Sequence, residues 1–119
     1  MLSQWLWVAI GAVGGASLRW FIGVYLPTTA TVSIPTLLVN LVGSFIMGAL
    51  LAMSLSDQSR LLWVTGFLGS FTTFSALSAN VLEMLIAQKY TQAMLIILLH
   101  LLGGIMAVVM GFWLGRACG

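Results

Sequence analysis

The polar side chains that could bind an ion lie inside long apolar stretches of this sequence. Asn40 stands in LLVNLVGSF, where its amide offers donors and an acceptor that lipid cannot satisfy. The amide either hydrogen-bonds a neighbouring helix or lines a pore as a donor to an anion. Arg19 is either an arginine that snorkels to the membrane interface or a fixed positive charge at a pore vestibule, where it attracts anions.

A third apolar stretch, GFLGSFTTFSALSAN, is rich in glycine and hydroxyl residues: Gly66, Gly69, Ser70, Thr72, Thr73, Ser75 and Ser78. Irregular backbone is tolerated at membrane depth only when it is buried in protein or lines a polar cavity. Interrupted helices are a recurring device for ion sites, because their freed amides bind anions and their freed carbonyls bind cations. We therefore expect a helix broken at mid-membrane and a function in ion handling.

Carboxylates are scarce in the apolar stretches. None occurs in the first, second or fourth, and Glu83 lies toward the end of the third. Proton-coupled multidrug exporters usually need a carboxylate inside the membrane, so a small exporter of that type is disfavoured.

Composition defines the elements that must position these residues. The chain has 119 residues, of which 61% are hydrophobic and 5% are charged, too few charges for a water-facing surface. We predict one all-α transmembrane domain with four spans, at about residues 4–26, 36–55, 61–87 and 93–114. The net charge of +2 comes from scattered residues, which excludes a nucleic-acid-binding patch.

Small residues recur along the fourth span at Gly103, Ala107, Gly111 and Gly115. This spacing places them on one helix face and predicts close packing against another helix. The partner helix belongs either to the same chain or to another subunit.

The basic residues do not favour one orientation in the membrane. Four spans place Arg60 and Arg116 on one side and Arg19 and Lys89 toward the other. Without an excess of positive charge on one side, the chain can insert both ways and assemble as an antiparallel pair. The alternative is that Arg60 dominates and fixes a single orientation.

Three blocks of the sequence, GAVGGASLRW, TLLVNLVGSF and GFLGSFTTFS, resemble the signature blocks of the Fluc fluoride channels, also called the CrcB family. The resemblance covers almost the whole chain. It implies a dual-topology antiparallel homodimer in the bacterial inner membrane, with two pores that pass fluoride passively and lower its toxicity in the cytoplasm. It implies no enzymatic activity.

The resemblance also implies roles for individual residues. It puts Asn40 at the pore as an amide donor, Phe74 at the pore wall, and Ser75 among the donors, with Thr73 and Ser78 beside them. Backbone carbonyls of Gly69 and Thr72, from both subunits, would hold a structural sodium ion. Replacing Asn40 by Asp is then expected to leave a folded dimer without flux.

This chain departs from the family pattern at several positions. Leu77 stands where the family places a second phenylalanine, and Asn80 where it places a carboxylate. In the last span, the family tends to place hydroxyl residues along one face, and at the corresponding positions this chain has His100, Gly104 and Val108. Either one aromatic ring per pore suffices, or the chain pairs with a paralogous subunit. His100 either donates to the pore or hydrogen-bonds a neighbouring helix, and the second role is favoured. A membrane scaffold without transport is a further alternative.

Overall fold

A computed structural model describes residues 1–29 and 31–119 of the chain. The described residues form the following helices: α1 (Leu2–Tyr25), α2 (Ile34–Leu51), α3 (Asp57–Ser59), a π-helix (Arg60–Leu68), α4 (Gly69–Phe71), α5 (Phe74–Ile86) and α6 (Tyr90–Cys118). In this part of the chain, four helical runs are long and apolar enough to cross a membrane: α1, α2, the run Asp57–Ile86, and α6. The prediction of an all-α protein with four membrane-spanning segments is confirmed. Helix α2 ends at Leu51, short of the expected 55, and α6 extends past both ends of the expected 93–114.

Local sequence explains where several helices begin and end. Pro35 lies in the first turn of α2, where a missing N–H costs nothing. The Thr73 hydroxyl accepts a hydrogen bond from the Ala76 N–H at 3.2 Å and so caps the start of α5. Helix α5 ends before Gln88, whose positive φ of 58° turns the chain. The Lys89 N–H then donates back to the Met84 carbonyl at 2.8 Å and closes the turn.

Two helix pairs account for most of the packing: α2 lies along α6, and α1 lies along the π-helix. Glycine permits both approaches. A Cβ added at Gly111 would collide with the Phe45 carbonyl of α2, and one added at Gly11 would collide with the Leu62 carbonyl of the π-helix. Gly103 and Gly115 also face α2. The small-residue face of the fourth span therefore packs against a helix of the same chain.

Buried apolar side chains form two separate clusters. Val39, Leu68 and Phe71 join α2 to the third span, whereas Met84, Ala93 and Ile96 join α5 to α6. Most other large apolar side chains are exposed on the outer faces of the helices. Such exposure is expected for a protein whose solvent is lipid.

Asn80 fastens the chain before α2 to the side of α5. Its side chain is 5% exposed, accepts from the Ser33 N–H at 3.0 Å, and donates to the Thr31 carbonyl at 3.0 Å. A carboxylate at position 80 could accept from Ser33 but could not donate to Thr31. An amide therefore matches this loop in a way that an acid would not.

We predict that Asn80→Asp lowers the free energy of unfolding by about 1–3 kcal/mol, because the Thr31 carbonyl loses its donor and faces a negative charge. Thermal unfolding of the purified protein in detergent measures the change. Gln58→Glu makes the same amide-to-acid replacement at an exposed position and should leave the melting temperature unchanged. Equal melting temperatures for Asn80→Asp and the parent would contradict the role given to this amide.

Candidate functional site

The helical backbone of the third span is interrupted between α4 and α5. Thr72 has φ −84° and ψ 156°, and Thr73 has φ −148° and ψ 115°, so both residues are extended. In a continuous α-helix the Thr73 N–H would donate to the Gly69 carbonyl, four residues earlier. Here it donates instead to Oδ1 of Asn40 at 2.8 Å. A side chain of α2 thus replaces a hydrogen bond of the helix.

Asn40 binds both backbone polar groups of Thr73. Besides accepting from the N–H, it donates from Nδ2 to the Thr73 carbonyl at 3.0 Å. This two-bond pairing, which we call the Asn40 clamp, also fixes the orientation of the amide, because a flipped amide would set donor against donor and acceptor against acceptor. A side chain of α2 therefore stabilises the interruption of the third span.

His100 extends this arrangement to α6. Its Nδ1 lies 3.1 Å from Nδ2 of Asn40, while its Nε2 is buried and has no hydrogen-bond partner among residues 1–29 and 31–119. Both amide hydrogens of Asn40 are then engaged, one by Thr73 and one by His100. Direct donation from Asn40 to an anion would require giving up one of these bonds.

Arg19 supports the interruption from the side of α1. Its Nε donates to the Ser70 carbonyl at 3.0 Å, a carbonyl close to the end of α4. A carbonyl in the last turn of a helix has no donor within that helix, and a cationic side chain is a favourable partner for it. The side chain also lines a cavity of about 360 Å³ that Thr36 and Thr73 share. The arginine therefore caps the end of α4 and places its positive charge at this cavity.

Thr73 also lines a second cavity, of about 290 Å³, which we call the clamp cavity. Its lining combines the clamp with an aromatic ring and apolar walls: Asn40, Gly43, Ser44, Met47, Leu68, Thr72, Thr73, Phe74, Leu77, His100 and Val108. Phe74 is 80% exposed, and Leu77 also packs against the cluster that joins α5 to α6. Among residues 1–29 and 31–119, none that lines this cavity carries a carboxylate. The cavity can offer an anion hydroxyl donors beside an aromatic edge.

Two of the predicted pore residues lie outside this lining. Ser75 is exposed, and its hydroxyl is 3.3 Å from that of Thr73. Ser78 is also exposed, and its hydroxyl donates to the Phe74 carbonyl of its own helix at 3.1 Å. Both residues lie on the exposed face of α5. Their roles in a pore stay predictions, because they require a second subunit to cover that face.

Sequence reasoning missed Ser44. It lies four residues after Asn40, hence on the same face of α2, and it lines the clamp cavity. That spacing was the available signal, but a serine within an apolar helix is usually assigned to packing.

We predict that Asn40→Asp costs stability. The carboxylate has no hydrogen to donate to the Thr73 carbonyl, and a buried group left unsatisfied costs about 1–3 kcal/mol. The melting temperature in detergent should fall well below that of the parent, whereas Gln4→Glu, the same chemical change at an exposed position, should not lower it. An unchanged melting temperature for Asn40→Asp would mean that the clamp contributes little to folding.

Comparison with known proteins identifies the family of this chain. Residues 6–112 match the model of the family described as CrcB-like protein, Camphor Resistance (CrcB). The chain is 44% identical over 112 residues to a protein of Haemophilus ducreyi, covering 93% of this chain and 90% of that one. It is 43% identical over 125 residues to a protein of Acinetobacter baylyi, covering 98% and 99%. Both relatives carry the name fluoride-specific ion channel FluC. With four apolar spans, a third span interrupted at Thr72 and Thr73, and a family match over most of its length, this multi-pass membrane protein belongs to the CrcB family.

Proposed function

We propose that this chain is a passive, fluoride-selective channel that lets fluoride leave the cytoplasm. The names of its relatives support this function. The observation that carries it is the clamp cavity, where Thr73, Phe74 and His100 lie together between apolar helices. Fluoride is small and strongly hydrated, so a pore must replace its lost water with donors, and an aromatic edge adds partial positive charge.

The proposed assembly is an antiparallel homodimer with two pores. The balance of two basic residues on each side supports insertion in both orientations. The exposed ring of Phe74 and the exposed hydroxyls of Ser75 and Ser78 support a second subunit on this side of α5. In this assembly the two serines supply donors along a pore wall that one chain leaves open. The interruption of the third span would then lie near mid-membrane.

A structural sodium ion at the dimer centre is part of the proposal. The Thr73 N–H is taken by Asn40, so the Gly69 carbonyl lacks the donor that a continuous helix would provide. Thr72 is extended, and Gly69 is exposed. Hard cations prefer oxygen ligands, and these backbone carbonyls from two subunits fit that preference. The ion would supply positive charge and hold two interruptions together.

The other functional classes have less support. A proton-coupled exporter needs a membrane carboxylate, and Glu83 lies exposed near the end of α5, away from the clamp cavity. A heterodimer with a paralogous subunit is tested by the behaviour of the chain alone.

We predict that liposomes containing only this purified chain release fluoride far faster than chloride. Ion-selective electrodes follow both anions after a potassium ionophore permits charge balance, and empty liposomes control for leakage. A chain that purifies as a dimer but releases neither anion would favour a heterodimer or a scaffold. Transport of a quaternary cation driven by a proton gradient would revive the exporter.

We further predict that substitutions at Phe74 and Leu77, which line the clamp cavity from α5, change fluoride efflux differently. Phe74→Leu removes the aromatic edge of the clamp cavity and should nearly stop fluoride efflux, since leucine offers bulk but no positive edge. Leu77→Phe supplies a second ring without charge and should preserve or raise efflux. Equal efflux from the parent and both variants would show that ring edges do not compensate for fluoride's lost water.

A further inference from the structure

We propose that His100 is a positioning residue for Asn40, in which Nδ1 of the imidazole holds the second amide hydrogen of Asn40 and competes with fluoride for it. The competition weakens the binding of the ion in the clamp cavity and so speeds its release. The inference rests on the proposed function, because it concerns the rate at which fluoride passes this cavity. It gives His100 no contact with the ion.

The Asn40 clamp decides the direction of the hydrogen bond between α2 and α6. Two hydrogen bonds to Thr73 fix the orientation of the amide, so the atom that lies 3.1 Å from Nδ1 of His100 is Nδ2, which can only donate. Nδ1 must therefore accept, and the imidazole is neutral with its hydrogen on Nε2. Toward Asn40, His100 is an acceptor and not a donor.

The other nitrogen of His100 is closed off from the cavities. His100 is 8% exposed, and its Nε2 is buried without a hydrogen-bond partner within residues 1–29 and 31–119. A buried N–H without a partner lowers stability, and a leucine would fill the same space without that cost. What the imidazole adds at position 100 is therefore the acceptor Nδ1.

A fluoride ion in the clamp cavity competes for one of the two amide hydrogens of Asn40. The hydrogen that Thr73 accepts belongs to a pair of bonds, and turning the amide away would break both of them. The hydrogen that His100 accepts is held by a single bond. Fluoride is a charged acceptor and forms the stronger hydrogen bond, so it displaces Nδ1 rather than Thr73.

This displacement lowers the net gain when fluoride binds. A donor without a partner would give the ion the full strength of the new hydrogen bond, whereas a donor that is already engaged gives only the difference between two bonds. A channel needs sites that bind an ion well enough to admit it and weakly enough to let it leave. Asn40, His100 and Phe74 line the same cavity, so the exchange takes place where the ion passes. The imidazole thus keeps fluoride from binding too tightly.

The test removes the acceptor and then returns it at the same distance from the backbone. His100→Leu has no acceptor, so the freed hydrogen of Asn40 should bind fluoride more tightly. The half-saturating fluoride concentration for efflux from liposomes and the maximal efflux rate should each fall about two- to tenfold, the equilibrium factor of one neutral hydrogen bond. His100→Asn carries its Oδ1 on Cγ, the atom that bears Nδ1 in histidine, and should restore both values. Thr91→Leu, a polar-to-leucine change at an exposed position of α6, is the control and should match the parent.

The outcomes separate this inference from the function. If the parent releases no fluoride, the proposed function fails. If the parent releases fluoride and His100→Leu keeps or raises its half-saturating concentration, the competition is overturned, because damaged packing lowers the rate without tightening binding. A His100→Asn variant that behaves like His100→Leu overturns it as well. Should His100→Leu not fold, His100→Met decides in its place, since its flexible side chain fills irregular gaps and its thioether accepts only weakly.

Discussion

The pairing of Asn40 with both backbone polar groups of Thr73 is the interaction on which the rest of the site depends. Lipid offers no hydrogen bonds, so a helix can be interrupted inside a membrane protein only if other groups satisfy the freed backbone. One side-chain amide has a donor and an acceptor in the right arrangement for an N–H and a carbonyl of the same residue. A carboxylate would leave the Thr73 carbonyl without a donor.

The consequences of this clamp extend over three spans. Because Thr72 and Thr73 are held extended, α5 begins at Phe74 and presents that ring at the edge of the clamp cavity. The same amide engages Nδ1 of His100 and so directs the ring's other nitrogen away from α2. Arg19 satisfies a carbonyl near the end of α4 from α1. The interruption is thus a junction of several helices, and its polar groups are satisfied largely by side chains distant in sequence.

Glycine makes these contacts geometrically possible. Where α6 meets α2 at Gly111, the backbones approach so closely that a methyl group would not fit. One turn beyond His100, at Gly104, a Cβ would lie 3.6 Å from the Ser44 hydroxyl oxygen, an ordinary van der Waals distance, so the two helices do not touch backbone to backbone there. Glycine therefore serves two purposes along α6. At Gly111 it lets α6 and α2 touch, and at Gly104 it leaves room between them.

The sequence by itself determined the membrane class, the number of spans and the family, because apolar length, scarcity of charge and the three sequence blocks are local properties of the chain. It also identified Asn40, Arg19 and His100 as residues that need polar partners. It could not say which partners they find. The pairing of Asn40 with Thr73, of Arg19 with Ser70 and of Asn80 with the chain before α2 joins residues 33 to 51 positions apart. Only the packing of the helices brings such residues together, and only that packing reveals Ser44 beside His100, since the helical spacing that relates Ser44 to Asn40 carries no information about α6.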